Sequence, residues 1–419
     1  MKVLWTSLVM FPDLCLYLNK EINVFGGWMN SSAEALKIEF PDVHLAVVIP
    51  NDSINKWRRC EIKGNVYYLL PCKSHISFSQ QLVNDMREII EDCNPQIIHI
   101  NGVEHCIGLA VLKATNGQIP VVASIQGLAH VYHKYVIGGL SNWQLMRYMS
   151  LRDIMGESGI CHQKKLMRKR GILEIQQLKE LKYVIGRTEW DKSHCFAINP
   201  SLKYYHCNEN LRPEFYHHIW SFEKCKKYSL FVSNGTNALK GLHKVIQAMP
   251  IILREFPETQ LNVVGFDYRE CDRKDRLHMT AYHRFITKMI RQYNLNNHIS
   301  FIGILDEKHM CDAFLNAHVY VLPSCIENSP NSLGEAQLIG VPVVASYVGG
   351  VPSMISEGET GFMYRYEEHE MMAERIISLF KTKDFKELSN AERTTAIKRH
   401  NWVDNSQKLY SIYKGIIDR

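Results

Sequence analysis

The chain has 419 residues, which is too long for one ordinary hydrophobic core and predicts two or three domains. Apolar residues make up 46% and charged residues 22%, and no low-complexity tract occurs, so an extensively disordered protein is excluded. The net charge of +6 is small for this length, and it does not by itself indicate a nucleic-acid-binding protein.

The first part of the chain alternates strand and helix patterns. The apolar run from Val3 to Leu8 predicts a buried first strand rather than a signal peptide, because Pro12-Asp13 interrupts the run and no small-residue cleavage site follows. Apolar residues at helical spacing over 82–90 predict a helix that ends at Asn94-Pro95. The segment QIIHI then predicts a short buried strand, with His99 as a core histidine.

The same alternation continues through PVVASIQG, a predicted strand over 120–127, and YVIGRTEWD, a strand and helix start over 183–191. Strands that alternate with helices in this way predict βαβ units and a parallel sheet, which is an α/β fold. Ligands of such sheets gather at the carboxyl ends of the strands.

Residues 199–227 break the rhythm, since they hold Pro200, Pro213 and a polar run. We interpret this segment as an inter-domain connection. The prediction is an N-terminal α/β domain over 1–205 and a C-terminal α/β domain over 206–400. A final amphipathic helix, 401–419, is expected to pack back toward the first domain.

One strand pattern occurs in both halves: PVVASIQG in the first and PVVASYVG in the second, where it follows the strand pattern AHVYVLPS. Chance could produce this match between two apolar strands. In either case, two parallel sheets that face each other would form an inter-domain cleft, which is a common position for ligands.

The stretch ENSPNSLGE places two carboxylates around the start of a predicted helix. Glu327 precedes the helix and Glu335 lies about one turn inside it. Asn331 or Ser329 is the expected cap, with Pro330 in the first turn. The helix amides suit a phosphate, and ionised carboxylates accept hydrogen bonds from sugar hydroxyls. The alternative is that the helix dipole simply favours acids here.

This stretch resembles the retaining glycosyltransferase family 4 pattern, in which Glu-x7-Glu is followed by G-x-P-V-V-A-S-x-x-G-G. Further similar segments are NALKGLHKVIQAMPIILREFPETQLNVVG, FGGWMN, PQIIHINGVEH and VIGRTEWD. The resemblance implies a GT-B fold, in which two Rossmann-like domains hold the active site between them. Residues 1–205 would form the acceptor-side domain and residues 206–400 the donor domain. It also implies a nucleotide-diphosphate sugar as the donor substrate, with no metal and no other cofactor.

The resemblance assigns roles to individual side chains. Glu335 would hold the ribose hydroxyls of the donor, Glu327 would lie against the transferred sugar, and Lys240 would neutralise the diphosphate. The other donor-binding positions are the backbone groups of Gly26, Gly27, Asn331, Ser332 and Leu333. A glycine loop permits close approach of a phosphate because it lacks Cβ atoms.

The chain departs from that family in two places. Many relatives carry Gly-Arg before the lysine, where this chain reads Ser233-Asn234-Gly235. Many also carry a histidine where this chain has Gln126, which can orient a hydroxyl but cannot act as a base. For a retaining enzyme the resemblance lets the departing phosphate take the proton of the acceptor.

Three residues are candidates for the acceptor side: Glu104, Gln126 and Arg187. Arg187 follows a predicted strand and could bind acceptor or phosphate, or could instead pair with Glu189 or Asp191. These alternatives remain open from sequence.

The segment HQKKLMRKRG carries five cations: Lys164, Lys165, Arg168, Lys169 and Arg170. On a helix they form either a solvated basic face or a docking surface for an anionic membrane. No motif for nucleic acid accompanies them. Twelve cysteines without a C-x-x-C pair favour a reducing cytoplasm.

The pattern as a whole predicts a cytoplasmic, retaining glycosyltransferase that uses a glycan or lipid-linked acceptor in cell-surface polysaccharide synthesis. The basic segment leaves open whether the enzyme is peripheral on the cytoplasmic face of the membrane. Two alternatives remain. One is a catalytically weak sugar-nucleotide-binding subunit of a glycan assembly complex, and the other is a different GT-B enzyme, such as a phosphorylase or a sugar-nucleotide epimerase.

Overall fold

The computed structural model divides the chain into two compact units. Unit 1 comprises Met1–Val131, Met167–Leu211 and His400–Arg419, and unit 2 comprises Tyr132–Leu166 and Arg212–Arg399. The structure describes residues 1–22, 26–149, 153, 159–269, 272 and 279–419. Phe25 of the FGGWMN segment and the cysteine at position 271 lie outside the described residues.

Unit 1 contains an eight-stranded sheet. Its strands are β1 (Lys2–Thr6), β2 (His44–Asn51), β3 (Arg58–Ile62), β4 (Asn65–Pro71), β5 (Ile97–Asn101), β6 (Val121–Ser124), β7 (Tyr183–Gly186) and β8 (Lys203–His206). Their order is β3-β4-β2-β1-β5-β6-β7-β8. The predicted parallel pairing is confirmed except at one edge, where β3 and β4 form an antiparallel hairpin. Lys63 and Gly64 turn that hairpin with φ of 48° and 79°, as a two-residue turn requires.

Unit 2 contains a six-stranded sheet. Its strands are β9 (Ser229–Val232), β10 (Gln260–Val263), β11 (Ile299–Phe301), β12 (Val319–Leu322), β13 (Val343–Ser346) and β14 (Phe362–Tyr364). They pair in parallel in the order β11-β10-β9-β12-β13-β14, which is the Rossmann order. β9, β12 and β13 are buried along their whole length because helices cover both faces of the sheet.

Helices follow most strands. In chain order they are α1 (Pro12–Tyr17), α2 (Gly27–Glu39), α3 (Gln80–Cys93), α4 (Cys106–Thr115), α5 (Ala129–Tyr132), α6 (Asn142–Met146), α7 (Ile160–Glu180), α8 (Glu189–Ile198), α9 (Leu242–Glu255), α10 (Ala281–Gln292), α11 (Glu307–Asn316), α12 (Asn331–Ile339), α13 (His369–Lys381), α14 (Lys386–Arg399) and α15 (Trp402–Ile417). In unit 1 the sheet has a core on each face, since Leu4 joins one apolar cluster and Val3 and Trp5 join the other.

The boundary between the units differs from the one predicted at 205/206. It falls after Leu211, because the expected connection contains β8, which pairs with β7 at the edge of the first sheet. Residues 132–166 also belong to unit 2. Within that unit the Gly138 carbonyl accepts hydrogen bonds from His243 Nε2 at 3.0 Å and Tyr366 Oη at 2.6 Å.

The C-terminal helix α15 belongs to unit 1. The Tyr413 hydroxyl accepts a hydrogen bond from Trp5 Nε1 at 2.9 Å, and the rings of Tyr410 and Phe40 stack with centroids 4.0 Å apart. His99 is a satisfied core histidine, as predicted, because its ring nitrogens bond to Tyr413 and Ser124. Burial lowers the pKa of His99 to about 3, so the ring is neutral.

Candidate functional site

The candidate donor site lies at the carboxyl end of the sheet in unit 2. The strand order reverses between β9 and β12, and ligands of open α/β sheets bind at such a reversal. Two loops meet there: residues 233–241 after β9 and residues 323–330 after β12. The Cys325 N–H donates to the Leu239 carbonyl at 2.9 Å, which ties the loops together.

Lys240 and Glu327 form an ion pair across these two loops. Lys240 Nζ lies 2.6 Å from Glu327 Oε1, and the glutamate residue is only 7% exposed. Lys240 ends a single 3₁₀ turn in which the Asn237 side chain accepts from its N–H, and Gly241 then enters α9 with φ of 72°. The resemblance assigned the lysine to the diphosphate and the glutamate to the sugar. The structure brings both side chains into contact.

The glycines of the YVGG segment support the backbone of Glu327. The Gly350 N–H donates to the Glu327 carbonyl at 3.0 Å. A Cβ atom on Gly349, which has φ of 50°, would lie 1.9 Å from the same oxygen. Only glycine therefore fits at position 349. The Gly-Gly motif, which follows Glu335 in sequence, thus serves to position Glu327.

Glu335 is buried one turn inside α12 and is bound by an arginine that sequence reasoning missed. Arg212 donates through Nε to Oε1 at 2.7 Å and through Nη2 to Oε2 at 2.8 Å. Burial raises the pKa of Glu335, although Arg212 opposes that effect. Burial also lowers the pKa of Arg212, but Glu335 outweighs this, and the net pKa of the guanidinium is raised. Arg212 stands next to Pro213 in a polar connection, and no spacing in the sequence links it to Glu335.

The start of α12 corrects the predicted capping. Pro330 is the N-cap, and within the described residues no side chain caps the helix, so the expected cap by Ser329 or Asn331 is wrong. The Leu333 and Gly334 N–H groups both donate to the Pro330 carbonyl, at 3.0 and 3.3 Å. The Leu333 N–H, which was predicted to meet the donor, therefore forms its hydrogen bond within the first turn. Asn331 and Ser332 lie at the tip of the helix.

A buried tyrosine connects this helix tip to the loop after β9. Tyr320 Oη donates to Ser332 Oγ at 2.9 Å and lies 3.0 Å from Ser233 Oγ. Tyr320 is fully buried, and burial raises its pKa, so it stays a neutral phenol. Ser233 lies in the segment where many relatives carry Gly-Arg. Its hydroxyl therefore takes part in the hydrogen bonds that order this site.

A cavity of about 320 Å³ lies beside this loop, at the carboxyl ends of β9, β10 and β11. Its wall is mostly apolar, and the rings of Tyr268 and His283 stack within it at 4.3 Å. The lining residues include Gly235, Thr236, Gly265, Phe266, Tyr268, His283, Phe301, Gly303 and Ile304. Such a wall suits a flat heterocycle.

Glu104 lies after β5 in unit 1, where the strand order also reverses. Its Oε1 is 3.2 Å from Nε2 of His105, the N-cap of α4. Burial raises the pKa of Glu104, but attraction to His105 and Arg170 outweighs this and lowers it. Arg170 is half-buried, so it does not belong to the predicted exposed basic face, whereas Lys164, Lys165, Arg168 and Lys169 are exposed.

Arg187 forms an ion pair with Glu209, which was not among the predicted partners Glu189 and Asp191. Its Nη2 donates to the Gln126 carbonyl at 2.9 Å and to the Ile125 carbonyl at 3.0 Å. Asp191 instead accepts from the backbone N–H of Arg187 at 2.9 Å. Arg187 therefore fixes the loop that holds Gln126. It also lines a 40 Å³ cavity within unit 1.

Gly26 and Gly27 begin α2, with Gly26 as its N-cap at φ of 82°. A Cβ atom on Gly26 would lie 2.4 Å from a methyl group of Val9. Glycine is therefore required here for packing, whether or not a phosphate binds.

Within the described residues, no helix is both long and apolar enough to cross a bilayer. In the same part of the chain, no group of three or more His, Cys, Asp or Glu side chains is placed to hold a metal ion. The described cysteines are free thiols, and most of them are buried.

The fold is that of solved glycosyltransferases. Sucrose-phosphate synthase from Thermosynechococcus elongatus aligns over 100% of this chain and 99% of its own, with a TM-score of 0.71 and 16% identity. Anabaena HepE in complex with UDP and glucose aligns over 99% of each chain, with a TM-score of 0.67 and 14% identity. Two Rossmann-like units of this kind define the GT-B fold, as predicted.

Residues 214–408 match the family model described as Glycosyl transferases group 1. Among curated proteins, spore coat protein SA of Bacillus subtilis is 26% identical over 45% of this chain and 49% of its own. Phosphatidyl-myo-inositol mannosyltransferase of Mycobacterium leprae is 24% identical over 46% of this chain and 48% of its own. The chain spans about half the length of the curated relatives it matches.

Proposed function

We propose that this chain is a retaining glycosyltransferase that moves a sugar from a nucleotide-diphosphate sugar to a hydroxyl of a glycan or lipid-linked acceptor, in the synthesis of a cell-surface polysaccharide. The observation that carries the proposal is the Lys240–Glu327 ion pair at the reversal of the strand order in unit 2. Glu335 lies about one turn inside the helix that follows Glu327. The group 1 match covers these three residues. Anabaena HepE, solved with UDP-glucose, supports a nucleotide sugar as donor.

The site can stabilise both charges that such a transfer creates. Negative charge builds on the departing diphosphate, and positive charge builds on the sugar as it becomes oxocarbenium-like. The Lys240 ammonium has three donors, so it can hold a phosphate oxygen while it contacts Glu327, and the amides at the tip of α12 add to it. Glu327 lies beside that lysine and faces the developing positive charge. The departing phosphate accepts the proton of the acceptor hydroxyl, so Gln126 need not act as a base.

The nucleoside end of the donor fits the 320 Å³ cavity in the same unit. Gly235 and Thr236 line that cavity, and their loop continues directly into the turn that carries Lys240. If the base of the nucleotide packs against Phe266 and Ile304, its diphosphate would therefore lie at Lys240. Glu335 would accept hydrogen bonds from the ribose.

The deciding experiment incubates the protein with UDP-, GDP- and ADP-sugars and a panel of glycan and lipid-linked acceptors. Nucleotide release with extension of the acceptor and retention of anomeric configuration, followed by NMR, is the expected result. Binding without turnover would identify a sugar-nucleotide-binding subunit instead. Phosphate-dependent or acceptor-free conversion would identify a phosphorylase or an epimerase.

We also propose that α7 docks this enzyme to the cytoplasmic face of an anionic membrane. In the first thirteen residues of the helix, four cations and a large apolar side chain are exposed: Lys164, Lys165, Arg168, Lys169 and Ile172. Each such cation contributes about 1 kcal/mol of attraction to an anionic surface. An exposed isoleucine on the same helix adds apolar contact.

Co-sedimentation with phosphatidylglycerol vesicles tests this docking. Glutamine at positions 164, 165, 168 and 169 should abolish binding at low salt without lowering thermal stability. The matched control places glutamine at four exposed lysines elsewhere: Lys56, Lys73, Lys224 and Lys226. Equal loss of binding in both variants would show a general charge effect rather than docking by α7.

A further inference from the structure

Arg212 fixes the carboxylate of Glu335 in a single plane. A guanidinium that donates in parallel to both oxygens of a carboxylate is the most directional ion pair that side chains form. Here the two bonds measure 2.7 and 2.8 Å, and 15% of the Arg212 side chain and 5% of the Glu335 side chain are exposed. Glu335 therefore cannot rotate to follow a ligand, and a ligand must meet the carboxylate as it stands.

The Arg212 guanidinium is itself held in one position by its surroundings, without a ligand. Its carbon lies 4.9 Å from the centroid of the Phe215 ring, which is fully buried. The backbone between them is anchored, because the Glu214 N–H donates to Glu307 Oε1 at 2.8 Å. A turn over Pro213–Tyr216 thus presents Arg212 to α12 in one orientation.

The pair leaves part of the carboxylate available. An ionised carboxylate has about four lone-pair sites, and the two bonds from Arg212 occupy one on each oxygen. The remaining site on each oxygen points outward, away from the other oxygen, so either site can accept from a single hydroxyl. Burial raises the pKa of Glu335, and Glu307 raises it further, while Arg212 opposes both. Without the arginine the buried group would tend toward the protonated form, which has fewer acceptor sites.

We propose that Arg212 is a positioning residue for the donor: it fixes the plane of the Glu335 carboxylate so that an outward lone pair of one oxygen is presented to a ribose hydroxyl of a nucleoside diphosphate. This inference rests on the proposed function, which supplies the nucleotide. It adds a residue outside the Glu-x7-Glu stretch, in the connection just before the segment that matches the family model.

The test measures how much the ribose hydroxyls add to binding. The probe is UDP, GDP or ADP, whichever raises the melting temperature most, together with its 2′,3′-dideoxy analogue, and each dissociation constant is measured calorimetrically. In the wild-type protein the dideoxy analogue should bind about ten- to a hundredfold more weakly, as expected for the loss of hydrogen bonds to a charged group. In Arg212→Gln that ratio should fall close to one.

Two further variants separate positioning from general structure. Arg212→Lys keeps the charge but not the planar fork, so its ratio should lie between those of the wild type and Arg212→Gln. Arg284→Gln removes another arginine bound to a carboxylate in unit 2, Asp153, at 2.6 Å. It should lower the melting temperature but leave the ribose ratio at the wild-type value.

The outcomes are distinguishable. If a nucleoside diphosphate binds and Arg212→Gln keeps the wild-type ratio, Arg212 is only structural and the inference is wrong. If the wild type binds the nucleotide and its dideoxy analogue equally, Glu335 does not hold the ribose and the inference again fails. If none of the three nucleotides binds the wild type, the proposed function fails first. A double variant with Glu335→Gln should lose no more discrimination than either single variant, because both act on one contact.

Discussion

Glu327 and Glu335 should fail in different ways when each is replaced by glutamine, because their surroundings differ. Glu327 pairs with Lys240 and is proposed to lie beside the reacting sugar, so Glu327→Gln should lower kcat about 10²–10³-fold, with a smaller change in donor KM. Glu335 is proposed to bind the ribose, whose hydroxyls change little in the reaction, so Glu335→Gln should mainly raise donor KM.

Steady-state kinetics of both variants, with circular dichroism to verify folding, decides the assignment. The assignment would be reversed if Glu327→Gln changed only KM while Glu335→Gln changed only kcat. If both folded variants matched the wild type, the carboxylates would serve the helix dipole alone.

Glu392 on α14 makes a second residue-level prediction, about pH and stability. It is completely buried, and burial raises its pKa well above the usual value of 4.5, although the Val343 amide opposes this. A carboxyl group whose pKa is higher in the folded than in the unfolded protein stabilises the fold at pH values below its unfolded pKa. That stabilisation is lost as the pH rises toward its folded pKa. Over that window Glu392 should lower the free energy of unfolding by up to about 1.4 kcal/mol per pH unit.

Glu392→Gln should remove this dependence. The variant should match the wild type near pH 4 and exceed its free energy of unfolding at pH 7 in urea titrations. Glu387, on the same helix but exposed, is the control, and Glu387→Gln should follow the wild-type curve. A wild-type curve that is parallel to that of Glu392→Gln from pH 4 to 8 would contradict the prediction.

The residue identities at the donor site could be predicted from sequence, but their partners could not. Glu327, Glu335 and Lys240 lie in a long recognisable pattern, and the structure places all three at one end of one sheet. Arg212 and Glu209 lie in the irregular connection, where periodicity carries no information. Their pairings with Glu335 and Arg187 arise from packing between segments distant in sequence.

The 3₁₀ turn over Ala238–Lys240 makes a prediction at the level of a structural element. Gly241 ends it with φ of 72°, and a Cβ atom there would lie 1.7 Å from the Pro323 carbonyl oxygen. Gly358 has a similar φ of 80°, but nothing described lies within 4 Å of its Cβ position. A left-handed conformation costs a non-glycine residue about 1–2 kcal/mol. Gly358→Ala should lose about that much stability, and Gly241→Ala should lose more.

Gly241→Ala should also lower kcat, because the clash separates the two loops that carry Lys240 and Glu327. Urea unfolding and steady-state kinetics of both alanine variants measure the two effects. Equal stability loss in the two variants would mean that the loops can move apart at no cost, and the site would then be less rigid than its hydrogen bonds indicate.

Elements with strong periodicity were predicted well, and weakly patterned ones were not. The helix over 402–417 and the βαβ alternation follow directly from apolar spacing. The strand β8 was missed because KYYH is short, lies at a sheet edge and has no fully buried residue. The β3–β4 hairpin was missed because its edge strand is largely exposed, so burial imposes no pattern on its sequence.

At the scale of the whole molecule, the division into two units could not be predicted from the order of segments along the sequence. Residues 132–166 follow β6 in sequence but belong to unit 2, where Asp153 accepts from the Ala281 N–H at 3.0 Å and binds Arg284. A domain boundary drawn from composition assumes that each domain is continuous. Here that assumption fails, since the chain enters unit 2 twice.

Hydrogen exchange across the whole protein tests which unit binds the donor. The candidate side chains for ribose, diphosphate and sugar all lie in unit 2, so a nucleoside diphosphate should slow amide exchange most strongly in residues 233–241 and 327–335. A ligand at a hundred times its dissociation constant stabilises the bound state by about 2.7 kcal/mol, which slows exchange through global opening about a hundredfold. Slower exchange at the start of α2 as well would support the diphosphate contact that the resemblance implies for Gly26 and Gly27. Protection that is confined to unit 1 would contradict the assignment, because the nucleotide would then bind away from Lys240, Glu327 and Glu335.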